Sequence, residues 1–292
     1  MEPRHSTFRQ AKWTAKDWQR SILWISLTLF AVFFFLLPVV WMVSSSLTPN
    51  SVVLEYPPRW LPAEVTLENY VEIFMTQRTA GVGSALVNSA IVAIATVILT
   101  LLVDLLAAYP LARMEFRGKK GIFLLVLVGL MVPTEVTFVT LFLMFHSVGW
   151  LGTYQALILP AAASPFGVFL LRQFFLAIPR DLEDAARIDG CSRLRILFTI
   201  ILPLSKPGLA TLAIFTFLLS WNNFLWPLIV MTDPEKMTVP VILTYYVASF
   251  RESMEWGTLM AAAVAASVPP VVIFLLFQRH FVRGIATTGL KG

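Results

Sequence analysis

The chain has 292 residues, of which 58% are hydrophobic and only 13% are charged. A water-soluble domain of this length needs more charge to cover its surface, so the composition excludes an ordinary soluble protein. The single cysteine, Cys191, excludes an internal disulfide framework.

Six apolar runs are each long enough to cross a membrane. A bilayer core about 30 Å thick needs roughly 20 apolar residues per helical span. Lipid offers no partner to backbone N–H and C=O groups, so runs of this length must be helical. The runs are 22–42, 86–109, 122–146, 154–174, 209–230 and 257–277. The sequence therefore predicts an all-α integral membrane protein, with six transmembrane helices in a domain that spans residues 21–279.

Basic residues predict which ends of the spans face the cytoplasm, because loops rich in Lys and Arg stay on that side. Most of the 22 Lys and Arg residues lie in the tail 1–20, the loop after the second run, the loop 176–206 and the tail 280–292. The intervening loops carry more Asp and Glu. This predicts a multi-pass protein of the plasma or inner membrane with both termini in the cytoplasm. The same topology accounts for the net charge of +5, so no nucleic-acid partner is expected.

Two acidic residues lie within the apolar runs, where a charge is costly and marks a pathway or an ion pair. Asp104, late in the second run, is expected to pair with an Arg or to pack between helices. Glu135 follows Pro133 in the third run, where the proline frees a backbone carbonyl and Thr137 adds a hydroxyl. Such groups could bind a sugar in a water-filled cavity, so Glu135 and Thr137 are predicted for the substrate path. Structural pairing of Glu135 is the alternative.

The polar loop 176–206, between the fourth and fifth runs, has the pattern of two short helices at a glycine bend. Asp181 is the predicted N-cap of the first helix, with Asp184 as its capping-box partner. Gly190 suits a helix end that requires a positive φ, and Ser192 is placed to cap the second helix. The residues expected to pack inward from the second helix are Leu194, Leu197, Ile200 and Ile201.

Two adjacent small residues, Ala185 and Ala186, would let another surface approach the first helix closely. The loop could be a simple linker between two spans. Its length, its capped helices and its mixture of charged and apolar residues favour a docking surface instead.

These positions resemble the coupling motif of ABC-transporter permeases, E-A-A-x₃-G-x₉-I-x-L-P. The match holds at every spacing, with Asp184 where Glu is usual. In this family the motif forms a coupling helix that sits in a cleft of the ATPase subunit. The resemblance implies an ATPase-docking surface made of Leu182, Glu183, Asp184, Ala185, Ala186, Ile188, Asp189, Gly190, Ile200, Leu202 and Pro203.

The resemblance extends from the first run to the C-terminus and is to the carbohydrate-importer group. "SLTPN" (46–50), "AAYPLARMEFRGKK" (107–120) and "WNNFLWPL" (221–228) are similar to that group, and "FVRGIATTGLKG" (281–292) resembles the end of the shorter permease subunit of maltose-type importers. In that subunit the terminal residues reach towards the ATPase dimer interface, which implies ATPase contact for Lys291 and Gly292. It also implies that Trp221, Asn222 and Asn223 line the central pore, with bridging between helices as the alternative.

The resemblance implies a permease subunit of an ATP-driven importer for a sugar or oligosaccharide. Its expected partners are a second homologous permease subunit, a dimeric ABC ATPase, an extracellular solute-binding protein and membrane lipid. We expect ATP and Mg²⁺ to bind the ATPase, because the Gly-Lys at Gly118 lacks the other residues of a P-loop. No His, Cys or carboxylate cluster has metal-ligand spacing, so no cofactor and no enzymatic activity are expected in this chain.

Two other functions fit part of the sequence. A glycerol-3-phosphate permease has similar segments, including "VPTEV" (132–136). A phosphate would call for a positive group in the cavity, and the middles of the six runs hold no Lys or Arg, although a partner permease could supply one. An ion-coupled secondary transporter could use Asp104 and Glu135, but it gives no reason for the coupling motif.

Overall fold

The structure, a computed structural model, describes residues 15–57, 59–75, 81–253 and 255–289. Throughout these ranges the ordered elements are helices, and no β-strand is present. In chain order the α-helices are α1 (Ala15–Ser46), α2 (Glu68–Met75), α3 (Val82–Arg113), α4 (Lys119–Gly129), α5 (Phe138–Ser147), α6 (Tyr154–Ile158), α7 (Pro165–Ala177), α8 (Asp181–Ile188), α9 (Arg193–Ile196), α10 (Leu202–Leu204), α11 (Lys206–Trp221), α12 (Leu225–Val230), α13 (Val239–Ser253) and α14 (Trp256–Gly289). Short 3₁₀ turns lie at Thr134–Thr137, Leu159–Ala161 and Pro234–Lys236, and a π-helical segment lies at Leu197–Ile201.

Three helices in the described ranges contain continuous stretches that are long and apolar enough to cross a membrane. They are Trp18–Ser46 in α1, Val82–Arg113 in α3 and Trp256–Gln278 in α14. Three more candidates are pairs of helices that bend at a short break. The pairs are Lys119–Gly129 with Thr134–Ser147 (97°), Tyr154–Ala161 with Pro165–Ala177 (43°), and Arg193–Leu204 with Lys206–Trp221 (80°). The prediction of a helical membrane protein is confirmed, with three continuous candidate spans and up to six if each bent pair counts as one.

Prolines mark the breaks between the paired helices. Pro133 has an extended backbone just before the turn Thr134–Thr137, and Pro165 and Pro207 each lie in the first turn of the helix that follows a break. Proline has no N–H to donate to the preceding turn, so it starts a helix more readily than it continues one.

The predicted fifth run, 209–230, is not one continuous helix. α11 ends at Trp221, and α12 begins only at Leu225. The intervening Asn222 and Asn223 offer side chains that compete with helical backbone hydrogen bonds. α13 was not predicted, because its apolar part is shorter than a span.

α3 forms the centre of the bundle and packs against α7 and α11, whereas α14 packs against α1 and α11. The first half of α3, with Val82 and Ala93, joins a buried cluster that contains Phe145, Trp221 and Trp226. Its second half joins a different buried cluster, which is built mainly from α7 and the segment 196–201. α3 therefore runs through both halves of the core.

Candidate functional site

The polar loop folds as two short helices at a glycine bend, as predicted. Gly190 has φ +78° after the end of α8, and the Ser192 hydroxyl accepts a hydrogen bond from the Arg195 backbone N–H at 3.3 Å. The predicted N-cap is wrong by one residue. Arg180 precedes the first helical residue and already has helical dihedral angles, so Asp181 lies inside the first turn. Its negative carboxylate lies near the positive N-terminal end of the helix dipole, which stabilises the helix.

α8 has an exposed face and a buried face. Asp184 and Ala185 are exposed, and Ile188 is 87% exposed, which is unusual for an isoleucine in a polar loop. We call the residues Leu182, Asp184, Ala185 and Ile188 the docking face. Leu182, at its edge, is 44% exposed. Ala185, at the centre of the docking face, has a small side chain, and Leu182 and Ile188 at its two ends are apolar. A partner surface could therefore approach this face closely.

The opposite side of α8 turns into the protein. Ala186 is buried and belongs to the core cluster that contains Leu171 and Phe175. Glu183 is also buried, with 2% of its surface exposed. The predicted docking surface is therefore divided, because Ala186 and Glu183 fix α8 to the rest of the chain while Ala185 faces outwards.

Glu183 forms an ion pair with Arg113, the last residue of α3. The Arg113 Nε and Glu183 Oε1 atoms are 2.9 Å apart, although the angle departs from that of a hydrogen bond. Arg187 approaches the other oxygen of Glu183 at 3.6 Å and pairs with Asp184 at 2.9 Å. Sequence reasoning missed Arg113, which was counted only as a cytoplasmic cation. The available signal was its position just after the apolar run 86–109, close enough to extend the same helix.

The remaining residues of the predicted docking surface follow the bend. Asp189 and Gly190 are exposed, Ile200 and Leu202 are half-buried, and Pro203 is exposed. Ile200 and Leu202 pack against the same core cluster as Ala186.

The inward face of the second helix differs from the prediction. Leu197 and Ile201 are buried as predicted, but Leu194 is exposed and Ile196 takes its place in the core. The segment Leu197–Ile201 is π-helical, and its wider turn changes the spacing of side chains that share a face.

Glu135 and Thr137 lie in the 3₁₀ turn between α4 and α5. Both side chains are exposed, and the Thr137 hydroxyl donates to the Thr134 carbonyl at 2.7 Å. Broken backbone at membrane depth is tolerated only where it lies against protein or lines a water-filled cavity. The position of Glu135 at a 97° bend therefore suits a residue that lines a cavity.

Trp221, Asn222 and Asn223 lie at the break between α11 and α12. The indole of Trp221 is buried and donates to the Ala266 carbonyl at 3.1 Å, so this residue joins α11 to α14. Asn222 and Asn223 are exposed, and the Asn222 side-chain amide donates to the Leu218 carbonyl at 2.9 Å.

The two breaks lie beside one helix contact. The rings of Phe138, at the start of α5, and Trp226, near the start of α12, have centroids 5.3 Å apart. Glu135 and Thr137 come just before Phe138, and Asn222 and Asn223 come just before α12. The structure thus brings the polar groups of the third and fifth predicted runs towards one part of the bundle.

Asp104 is fully buried between α3 and α7. Its Oδ1 accepts a hydrogen bond from the Ser164 backbone N–H at 2.9 Å, while its Oδ2 has no hydrogen-bond partner. No Lys or Arg within the described ranges forms an ion pair with it. Of the two alternatives expected for Asp104, packing between helices is the one that the structure confirms.

Two predicted contact residues, Lys291 and Gly292, lie outside the described residues. In the part of the chain that the structure covers, no group of three or more His, Cys, Asp or Glu residues could hold a metal ion.

A family model decides the identity of the chain. The model of the binding-protein-dependent transport system inner membrane component matches residues 105–287. The chain belongs to this family. The match covers the ion pair, α8, the glycine bend and both helix breaks, and it confirms the prediction of an ABC permease subunit, which is a transport component and not an enzyme. The alternative interpretation, an ion-coupled secondary transporter, is therefore wrong.

Relatives of this permease belong to transport systems for different solutes. It is 39% identical over 250 residues to an arabinooligosaccharide transport system permease of Halalkalibacterium halodurans, covering 85% of this chain and 86% of that one. It is 35% identical to an sn-glycerol-3-phosphate transport system permease of Agrobacterium fabrum, covering 84% and 88%. A bacterial ABC transporter involved in the import of alginate has the same fold, with a TM-score of 0.82 and 21% identity over 92% of this chain and 99% of that one.

Proposed function

We propose that this permease carries a sugar or oligosaccharide across the inner membrane, driven by an ATPase that binds the docking face of α8. The observation that carries the proposal is this face itself. It exposes Ala185 and Ile188 to solvent while Glu183 and Ala186 hold the same helix to the spans. A surface that is exposed, has apolar side chains at both ends and is firmly attached to the bundle suits a partner that pushes on it.

In the proposed arrangement, six spans cross the membrane and both termini lie in the cytoplasm. The bent pairs Lys119–Gly129 with Thr134–Ser147 and Tyr154–Ala161 with Pro165–Ala177 each count as one span. α11 and α12 together form the fifth span, and Arg193–Leu204 belongs to the cytoplasmic loop that precedes it. The basic loops then share the side of α8, as the distribution of Lys and Arg requires. A second permease subunit completes the pathway, two ATPase copies bind ATP and Mg²⁺, and an extracellular solute-binding protein delivers the substrate. In this assembly, closure of the ATPase dimer moves α8 and switches the pathway between its inward-facing and outward-facing forms.

The substrate class is proposed from the relatives and from the polar groups at the helix breaks. Carboxylate, hydroxyl and amide groups form the hydrogen bonds that sugar hydroxyls require. A glycerol phosphate is the second candidate, because one relative belongs to such a system. Against it, the arginines nearest the core of the bundle in α3 and α7, Arg113 and Arg172, are already engaged by Glu183 and by the Phe123 ring, respectively.

A ligand screen on the solute-binding protein that co-purifies with the permease tests the substrate class. The panel contains mono- and oligosaccharides together with sn-glycerol 3-phosphate, and the readout is thermal stabilisation of the binding protein. Stabilisation by a sugar supports the proposal, and stabilisation by the phosphate alone would favour the second candidate. If the permease co-purifies with no binding protein at all, the proposed assembly is wrong.

Replacing Glu135 with Gln is expected to reduce substrate affinity without releasing the ATPase. A hydrogen bond to a charged group contributes about 1.5–3 kcal/mol, so we expect the KM for uptake to rise about tenfold or more. Uptake by proteoliposomes that contain the full complex measures this change.

The matched control for Glu135 is Glu115→Gln, because that carboxylate is exposed on the turn after α3 and lies away from both breaks. Its uptake kinetics should equal those of the unmodified complex. Unchanged kinetics in Glu135→Gln would assign Glu135 a structural role and remove it from the substrate path.

A further inference from the structure

Arg113 joins three elements at the inner end of the bundle. It is the last residue of α3, and only 8% of it is exposed. Its Nη2 donates to the carbonyl of Ile178 at 2.7 Å and also to the carbonyl of Phe175, both at the C-terminal end of α7. Its Nε faces Glu183 of α8 at 2.9 Å. The guanidinium at the end of α3 therefore contacts both the end of α7 and α8, the helix that carries the docking face.

The chemistry of these contacts makes the connection stiff. The last carbonyls of a helix lack their usual helical partners and carry the negative end of its dipole, so the guanidinium supplies both hydrogen-bond donors and a positive charge at the end of α7. The Phe175 carbonyl also accepts a hydrogen bond from the Ile178 N–H at 3.1 Å. Arginine presents its donors as a planar fork, which binds several acceptors in fixed directions. Because Glu183 and Arg113 are both buried, salt screens their attraction far less than it screens an exposed pair.

A second arginine strengthens the same region. Arg172 of α7 donates to the carbonyl of Leu111 in α3 at 3.0 Å, and its guanidinium lies 3.9 Å from the centre of the Phe123 ring in α4. The inner ends of α3, α4 and α7 are thus tied to one another. A displacement that reaches the end of α3 through Arg113 is therefore shared by its neighbours.

We infer that Arg113 and Glu183 form the joint through which movement of α8 passes into α3 and α7. This inference rests on the proposed function, in which an ATPase pushes on the docking face. Arg113 acts as a positioning residue, since it contacts neither the ATPase surface nor the helix breaks. α3 then carries the displacement from the buried cluster around α7 and residues 196–201 to the buried cluster that contains Trp221 and Trp226. These two residues lie beside the helix breaks.

The experiment compares transmission of movement with attachment of the ATPase. In the full complex from the native host, Cys191→Ser removes the single cysteine of this chain, and Ser84→Cys places a fluorescent label at the exposed outer end of α3. The probe is Mg²⁺, ATP and vanadate, which traps the ATPase in its closed form. The readouts are the nucleotide-dependent change in label fluorescence and the amount of ATPase that co-purifies.

The test variant is the double substitution Arg113→Met with Glu183→Met. It removes both charges together and keeps similar volumes, so it does not leave a single unpaired charge in the core. We expect the ATPase to remain attached while the fluorescence change falls about tenfold, a size typical of coupling between two sites. Glu115→Gln, which breaks the exposed ion pair with Lys119 on the same side of the protein, should retain the full change.

Arg113→Lys provides a second test that keeps the charge opposite Glu183. An ammonium group lacks the fork, so it cannot hold Glu183 and both α7 carbonyls in the same geometry, and we expect most of the fluorescence change to be lost. This variant decides the question if the double substitution does not accumulate. A full fluorescence change in either folded variant would overturn the joint and leave the proposed function intact. An absent change in the otherwise unmodified complex, or absence of the ATPase from it, would overturn the proposed function first.

Discussion

Replacing Ala185 with Arg is expected to release the ATPase from the permease and to abolish uptake. Ala185 lies at the centre of the docking face, where its small side chain allows close approach. A large charged side chain at the centre of an interface costs at least about 2 kcal/mol, which weakens binding by a factor of roughly 30 or more. Co-purification of the ATPase and uptake by proteoliposomes measure the two effects.

Ala185→Ser is the matched comparison, because it changes polarity but adds little volume. It should retain far more ATPase than Ala185→Arg, and both variants should unfold at the temperature of the unmodified permease. Ala186→Arg behaves differently, because Ala186 is buried in the core, and it should reduce the amount of folded protein. Normal attachment of the ATPase to Ala185→Arg would show that α8 is not its docking site.

Replacing Gly167 with Ala is expected to destabilise the permease by about 3 kcal/mol, the upper part of the range for overpacking a core. A Cβ atom on Gly167 would lie 1.9 Å from Oδ2 of Asp104 and 3.0 Å from Cδ1 of Leu212. Asp104 cannot easily move away, because it is fully buried and the Ser164 N–H holds its other oxygen. Thermal unfolding of the detergent-solubilised protein measures the loss.

Two further variants make the Gly167 test specific. Gly121→Ala adds the same methyl group to an exposed position of α4 with nothing within 4 Å, and it should stabilise the protein by about 0.5–1 kcal/mol. Combining Gly167→Ala with Asp104→Ala removes the clash, so the double variant should be more stable than the sum of the two single effects. Strict additivity would mean that the two side chains do not meet between α3 and α7.

Local chemistry predicted part of the candidate site well. The turn at Gly190 and the cap at Ser192 depend on residues within four positions of each other, and both are present. The direction in which α8 faces was not predictable in the same way. Positions 185 and 186 are both alanine, so the residue type does not distinguish them. Packing against α7 and the segment 196–201 determines that Ala186 is the buried one.

Contacts between distant residues account for what the sequence did not show. Arg113 and Glu183 are 70 positions apart, so the pattern around either one gives no sign of the other. The interruptions within the apolar runs were missed for another reason. Hydropathy along 122–146 or 209–230 measures how long an apolar run is, but it does not record where a helix within the run ends. Pro133 and the pair Asn222 and Asn223 were noted for their chemistry rather than as places where a helix ends.

The bends have a mechanical consequence for any protein that must open and close. At each interruption the ladder of main-chain hydrogen bonds is already open, so the two halves of a crossing segment can pivot there without breaking a bond. An uninterrupted rod would have to tilt as a whole or melt a turn. A transporter whose transmembrane helices are interrupted can therefore alternate between two conformations by small rotations at the interruptions. Its secondary structure then stays intact throughout the cycle.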